Sequence, residues 1–223
     1  MSFYREFESN IKPTTVNWRI YTLVQSGVLS RIGIGKFTLG EGRIFIPQIT
    51  AKIKILYKNL HKQLPYLQIC IWNTVVLNEF MLHQPGRFYT LVEVEKESME
   101  SVFYFLKEKY KNIFIDPSAD ILSRYASGEK ETIIIKSLVS EAPTQKLQGV
   151  ETATLEKILV DVFTDEILFA AQQGNEMQYI FKEAFDKYTI NENRMLRYAD
   201  RKRKKEILDN YLNKVSKFRQ QTK

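Results

Sequence analysis

Between Val28 and Pro47 the chain reads VLSRIGIGKFTLGEGRIFIP, three β-rich runs broken by Gly33 with Gly35 and by Gly40 with Gly42. Paired glycines mark places where the backbone must take conformations that other residues resist. The runs 28–32, 36–39 and 43–46 are therefore expected to fold back on one another as a small β-hairpin, with Pro47 ending the last strand. GIGKF (33–37) superficially resembles a phosphate loop, but the G-x-x-x-x-G-K-[ST] spacing is missing and a strand pattern, not a helix, follows it.

What precedes the hairpin is helical. Phe3, Phe7 and Ile11 recur at spacings of four, and Lys12-Pro13 stops that first short helix. Thr14 and Thr15 then offer N-caps for a second helix, with Val16, Ile20, Leu23 and Val24 on one face and Gly27 closing it. Its opposite face carries Thr15, Trp18, Tyr21, Thr22 and Gln25, bordered by Asn17 and Arg19. Helix, turn, helix, hairpin is the order of a winged helix-turn-helix, although a full winged helix usually has one more helix in front. Major-groove reading needs side chains that donate, accept or touch a thymine methyl, and Thr15, Asn17, Trp18, Arg19 and Thr22 supply all three abilities. Arg31, Lys36 and Arg43 on the hairpin are candidates for phosphate contacts that fix register. The alternative for Trp18 is a place in the core, and for Arg31 and Lys36 an ordinary polar strand face.

The rest of the chain alternates first and then becomes helical throughout. Ile49, Ile53, Leu56 and Leu60 describe a connecting helix from 48 to about 63, where the domain boundary is placed, giving units 1–47 and 48–223. YLQICIW (66–72), FYTLVEVE (88–95), IFI (113–115) and TIIIKSL (132–138) read as strands, separated by a short helix at 73–83 and by EKESMESVFYFLKEKY. From Thr154 onward only helical patterns remain, and the run Arg201–Lys205 falls inside the last of those helices. The expected class is α+β, a winged head followed by an α/β domain with a helical C-terminal part.

Charge follows this division. The formal +7 splits into eight basic against three acidic side chains over 1–54, fourteen against twenty over 55–193, and eleven against three over 194–223. Basic ends around an acidic middle suggest a polyanion-facing part joined to a part with other work. Arg197, Arg201, Lys202, Arg203, Lys204 and Lys205 form a further basic surface, either merely solvated or an extension of a DNA-binding face.

Several chemistries lack their residues. One cysteine, Cys70, excludes an internal disulfide, and with only two histidines no ordinary four-ligand Cys/His zinc site can be assembled. His61 and His83 stand in no recognised triad order. A Mg²⁺-dependent nuclease would need clustered carboxylates and Glu-x-Lys at a strand end. Asp116, Asp120, Glu129, Glu131 and Lys136 gather near such a place without that spacing. No catalytic residue, metal ligand or cofactor is therefore assigned. The N-terminus has no apolar leader and no stretch approaches the roughly 18 apolar residues of a membrane span, so a cytoplasmic protein without membrane contact is expected.

TTVNWRIYTLVQSGVLSRIGIGKFTL resembles the N-terminal winged helix of the AbiEi family of abortive-infection antitoxins. TATLEKILVDVF (152–163) and RYADRKRKKEIL (197–208) resemble the Leu-Glu-Lys…Val-Asp helix and the closing basic helix of that family's C-terminal domain. The resemblance implies a bacterial type IV antitoxin, not an enzyme: a repressor of its own operon that binds double-stranded DNA at inverted repeats in its promoter. It also implies a C-terminal domain that counteracts a nucleotidyltransferase toxin without a stable complex. The alternatives are a nuclease with a winged targeting module, and a DNA-binding regulator with no antitoxin role.

Overall fold

Strand register sorts the central side chains of the molecule. A computed structural model describes residues 11–25, 28–33, 36–40, 43–125 and 132–221, and the protein is α+β. Strands β3 (Ile69–Asn73), β4 (Tyr89–Val94), β5 (Ile113–Ile115) and β6 (Thr132–Ser137) form one sheet in the order β3-β4-β6-β5. β3 runs antiparallel to β4, whereas β4, β6 and β5 are parallel, as the helical crossovers between them require. Because side chains alternate across a strand, Ile69, Ile71, Val92, Val94, Ile133 and Ile135 share one face, and Cys70, Trp72, Leu91 and Ile134 share the other.

The first face is covered by α2 (Ala51–Gln63) and α3 (Met99–Lys107), through Ile53, Leu56 and Leu60 and through Met99, Val102 and Leu106. α2 begins three residues later than the pattern alone suggests, because Thr50 caps it by accepting the Ile53 N–H at 3.3 Å. A 3₁₀ turn over Thr74–Glu79 stands where the short helix is expected. α4 (Ala119–Tyr125) leads from β5 toward β6. A second hairpin, β7 (Thr144–Leu147) with β8 (Val150–Ala153), has no counterpart in the sequence pattern. Gln148 and Gly149, both at positive φ, turn it.

The other face receives the helical part. α5 (Leu155–Thr164) is buried at every residue from Leu155 to Val162, including Glu156, Lys157 and Asp161. Around it pack α6 (Asn175–Lys187), α7 (Glu192–Arg201) and α8 (Lys205–Gln221). The expected single basic helix is in fact broken. α7 stops at Arg201, the Arg203 N–H bonds to the Asp200 carbonyl and the Lys204 N–H to the Ala199 carbonyl, both at 2.9 Å. Those paired bonds terminate a helix through a left-handed residue, here Arg203 at φ 57°.

At the N-terminal end, the expected helix at 3–11 lies outside the described residues except for Ile11, as do Gly27, Gly35 and Gly42. α1 (Pro13–Gln25) starts at Pro13, so Thr14 and Thr15 stand inside its first turn instead of capping it. β1 (Leu29–Gly33) and β2 (Lys36–Leu39) pair antiparallel, and the Gly40 N–H, donating to the Val28 carbonyl at 2.8 Å, closes them. The third run, 43–46, is extended but no strand of this hairpin. Arg43 pairs instead with Thr189, its N–H donating to the Thr189 hydroxyl at 3.1 Å and its carbonyl accepting the Thr189 N–H at 2.9 Å. Among the described residues no helix is long and apolar enough to cross a membrane.

Candidate functional site

Of the α1 side chains proposed to read bases, all but Arg19 face solvent. Thr15, Asn17 and Thr22 are exposed, Trp18 is 66% exposed, Tyr21 beside it is 62% exposed, and among the described side chains of this helix only Val16 is buried. Trp18 is thus a surface residue, not part of a core. Arg19 is half-buried with interactions of its own. The Thr22 hydroxyl donates to the Trp18 carbonyl at 3.0 Å, which leaves its oxygen free only to accept. On the hairpin, Arg31 lies opposite Phe37 on β1, and its side chain is outside the described residues. Lys36 is mostly exposed and stands 3.6 Å from the Glu192 carboxylate at the start of α7. Arg43 is exposed, its backbone fixed to Thr189.

The six cations of the basic surface divide into two kinds. Arg201 is ion-paired with Glu141, and Lys202 is half-buried against Asp161 at 2.6 Å. Arg197, Arg203, Lys204 and Lys205 are exposed, as is Arg194 beside them, and among the described residues none of these five has an ion-pair partner.

A second constellation, which the sequence pattern does not announce, lies at the carboxyl ends of the parallel strands. Glu93 on β4, Lys136 on β6 and Asp116 just after β5 line a half-open cleft of about 450 Å³, together with Asp161, Asp165, Tyr198 and Lys202. Register places Cys70, Glu93 and Lys136 side by side, so a charged pair replaces the apolar row at the sheet's end. Lys157, fully buried, is ion-paired with Glu93 and with Asp161 at 2.6 Å, and its ammonium lies 5.9 Å from the Trp72 ring centre and 5.7 Å from that of Tyr198. The Trp72 indole N–H donates to Glu93 at 3.2 Å and the Tyr198 hydroxyl to Asp161 at 2.9 Å. Nearer the mouth, Lys136 is held by Asp116 at 2.8 Å and Asp165 at 2.5 Å.

The titration of these groups follows from that packing. Burial opposes the charge on Asp161, but Lys157 and Lys202 outweigh it and hold the carboxyl down at about 2. Burial also opposes the Lys157 ammonium, yet Asp161 and Glu93 raise it well above the ordinary lysine value. Lys136 is likewise raised, its desolvation overcome by its hydrogen bonds to Asp116 and Asp165. Glu93 itself is raised, chiefly by burial. Lys136 and Lys157, held in this way, stay protonated, so neither is a free amine base or nucleophile.

The nuclease alternative finds part of its geometry here. Asp116 and Lys136 do meet, but the position two before Lys136 is Ile134, fully buried, where Glu-x-Lys needs its acid. Asp120 instead pairs with Arg124 at 2.8 Å on α4, and Glu129 and Glu131 lie outside the described residues. Cys70 is a buried free thiol pushed up by desolvation, His61 stacks against Tyr57, and His83 stands 3.3 Å from Glu176. The sequence signal for the cleft is Lys157 and Asp161 at i, i+4 around the apolar run Ile158, Leu159 and Val160, a spacing at which two buried opposite charges meet.

No curated protein matches the chain. Residues 15–217 match the model of DUF6577, described as a family of unknown function, a span that runs from α1 through the hairpin, sheet and cleft into α8, and the protein belongs to that family.

Proposed function

We propose that this protein is a bacterial DNA-binding transcriptional repressor and antitoxin of the type IV, abortive-infection class, not an enzyme, which autoregulates its operon from the cytoplasm. The observation that carries the DNA-binding half is the outward face of α1, with Thr15, Asn17, Trp18 and Thr22 exposed immediately ahead of an antiparallel hairpin. A helix so placed can enter the major groove while Lys36 and Arg43 approach the backbone. The antitoxin half is supported by the resemblance of 152–163 and 197–208 to the AbiEi C-terminal domain, which implies action against a nucleotidyltransferase toxin without a stable complex. The test pairs two measurements. Purified protein should prefer the DNA upstream of its own gene to random duplex, and its expression should rescue growth of cells producing a nucleotidyltransferase toxin of the kind that the resemblance implies. Equal affinity for both DNAs sinks the repressor, and rescue failure with binding intact leaves a regulator with no antitoxin role.

The nuclease reading is favoured by one contact, Asp116 with Lys136 at 2.8 Å in an open cleft. On it, Mg²⁺-dependent cleavage of DNA would vanish in Asp116→Asn. Absence of cleavage by the wild-type chain across divalent cations removes that reading.

A further inference from the structure

The turn between α7 and α8 concentrates basic side chains that form no ion pair among the described residues, although exposed Asp200 and Glu206 flank it. Arg194, Arg197, Arg203, Lys204 and Lys205 are exposed without ion-pair partners among those residues, whereas Arg201, Lys202, Lys136 and Lys157 close by in sequence or space are all paired. Glu192 marks the side of α7 that meets the hairpin, through Lys36. Arg194 and Arg197 follow it by two and five residues, so they sit roughly 140–200° round the helix from it. They face away from the hairpin and line a groove of about 390 Å³ against the segment 141–144, whose Glu141 carboxylate is taken up by Arg201.

Two observations bear on what such a surface contacts. Between residues 192 and 214, Ile207 is the one large hydrophobic side chain exposed among those described. Protein interfaces are enriched in aromatic residues, Met and Arg and depleted of Lys, so a corner whose cations include adjacent Lys204 and Lys205 and whose described residues expose no aromatic side chain fits a phosphate backbone better than a protein partner. The second is Arg203. It occupies the left-handed position that ends α7, at φ 57°, where glycine relieves strain that an arginine bears. The residue at this strained position carries an exposed charge with no ion-pair partner among the described residues.

We infer that the α7–α8 corner is a second, sequence-independent contact surface for the phosphates of duplex DNA, separate from the base-reading face of α1. It supplies backbone grip on the far side of α7 from the hairpin. α7 and its turn span roughly 15–20 Å, the length of about four to six phosphates along one strand. This deepens the DNA-binding reading, and the two can fail independently.

The experiment titrates the full chain with upstream duplex and with random duplex of equal length over a series of salt concentrations. Arg194→Gln with Arg197→Gln should flatten the slope of log affinity against log salt by about two on both DNAs. Arg203→Gly should flatten it by about one while holding or raising the melting temperature, a combination that a merely structural arginine would not give. Lys111→Gln, an exposed lysine away from this corner in sequence, serves as the control and should leave the corner's contribution in place. Unchanged slopes in the corner variants, with the upstream preference intact, overturn the corner and spare α1. A wild-type chain that binds both DNAs equally but loses slope in the corner variants overturns base reading and keeps the corner. Slope lost on single-stranded RNA and not on duplex DNA overturns the duplex assignment.

Discussion

Asp161 is where the energetics of single residues concentrate. Its carboxyl, held at about 2, accepts from Lys157, Lys202 and Tyr198. A carboxyl whose value is lower folded than unfolded contributes stability that is complete above the unfolded value near 4 and lost as pH falls through the folded one. The difference corresponds to roughly 2 kcal/mol. Asp161→Asn should cost more than that at neutral pH, about 3–5 kcal/mol, because Lys157 keeps its buried charge with one carboxylate fewer. Denaturation of both forms from pH 7 down to pH 2 checks this, and the gap should narrow between pH 4 and pH 2. A gap that stays constant with pH would mean that the asparagine variant loses packing and not charge pairing. The sequence hides this network because FYTLVEVE alternates, and alternation assigns Glu93 to a wet face. That face is covered by α5, whose Lys157 arrives from more than sixty residues away, a contact no local pattern encodes.

At the scale of elements, the period of α1 and the β1–β2 pairing are legible because their signals are local, whereas Pro13, which reads as the stop of a preceding helix, is the first residue of α1. The α7–α8 break is not legible. Its terminator is Arg203, and an arginine at a position that glycine usually marks reads as continued helix. The run 43–46 misleads for the opposite reason, since its strand composition is real but its hydrogen bonds go to Thr189 and not to β2. For α1, exposure separates core from site. Trp18→Ala should leave the melting temperature within about a degree or two, as expected of a residue 66% exposed, while weakening binding to upstream DNA. Asn17→Ala should reduce the preference for upstream over random DNA by roughly 1–3 kcal/mol. A large drop in melting temperature for Trp18→Ala would place the residue in packing and withdraw it from the proposed DNA-reading face.

Across the whole molecule, the link between the hairpin region and the body decides whether the protein behaves as one cooperative unit. Phe45 sits in the core with Phe80 and Tyr188, ring centres 5.9 and 5.3 Å away, one residue after Ile44, which is 74% exposed. The segment alternates, with Phe45, Pro47 and Ile49 inward and Ile44, Ile46 and Gln48 outward, so it is anchored like an edge strand although among the described residues its backbone pairs only at Arg43. The Tyr188 hydroxyl, raised to about 12 chiefly by its hydrogen bond to Glu79, donates to that carboxylate at 2.7 Å and fixes the pocket that receives Phe45. Phe45→Ala therefore removes an aromatic anchor shared by the N-terminal part and the body, and should cost about 3–5 kcal/mol. Ile44→Ala and Ile46→Ala, one residue to either side, should each stay within roughly 0.5 kcal/mol. Urea unfolding followed by Trp18 and by Trp72 fluorescence, each isolated by replacing the other tryptophan with phenylalanine, tests the link directly. Trp18 reports on the head and Trp72, buried in the sheet, on the body. If Phe45 joins them, the two probes coincide in the otherwise native chain and separate when Phe45→Ala is added, with the Trp18 transition moving to lower urea. Coincident transitions in the Phe45→Ala background would show that the Arg43–Thr189 pairing and the Lys36–Glu192 contact suffice to hold the head to the body.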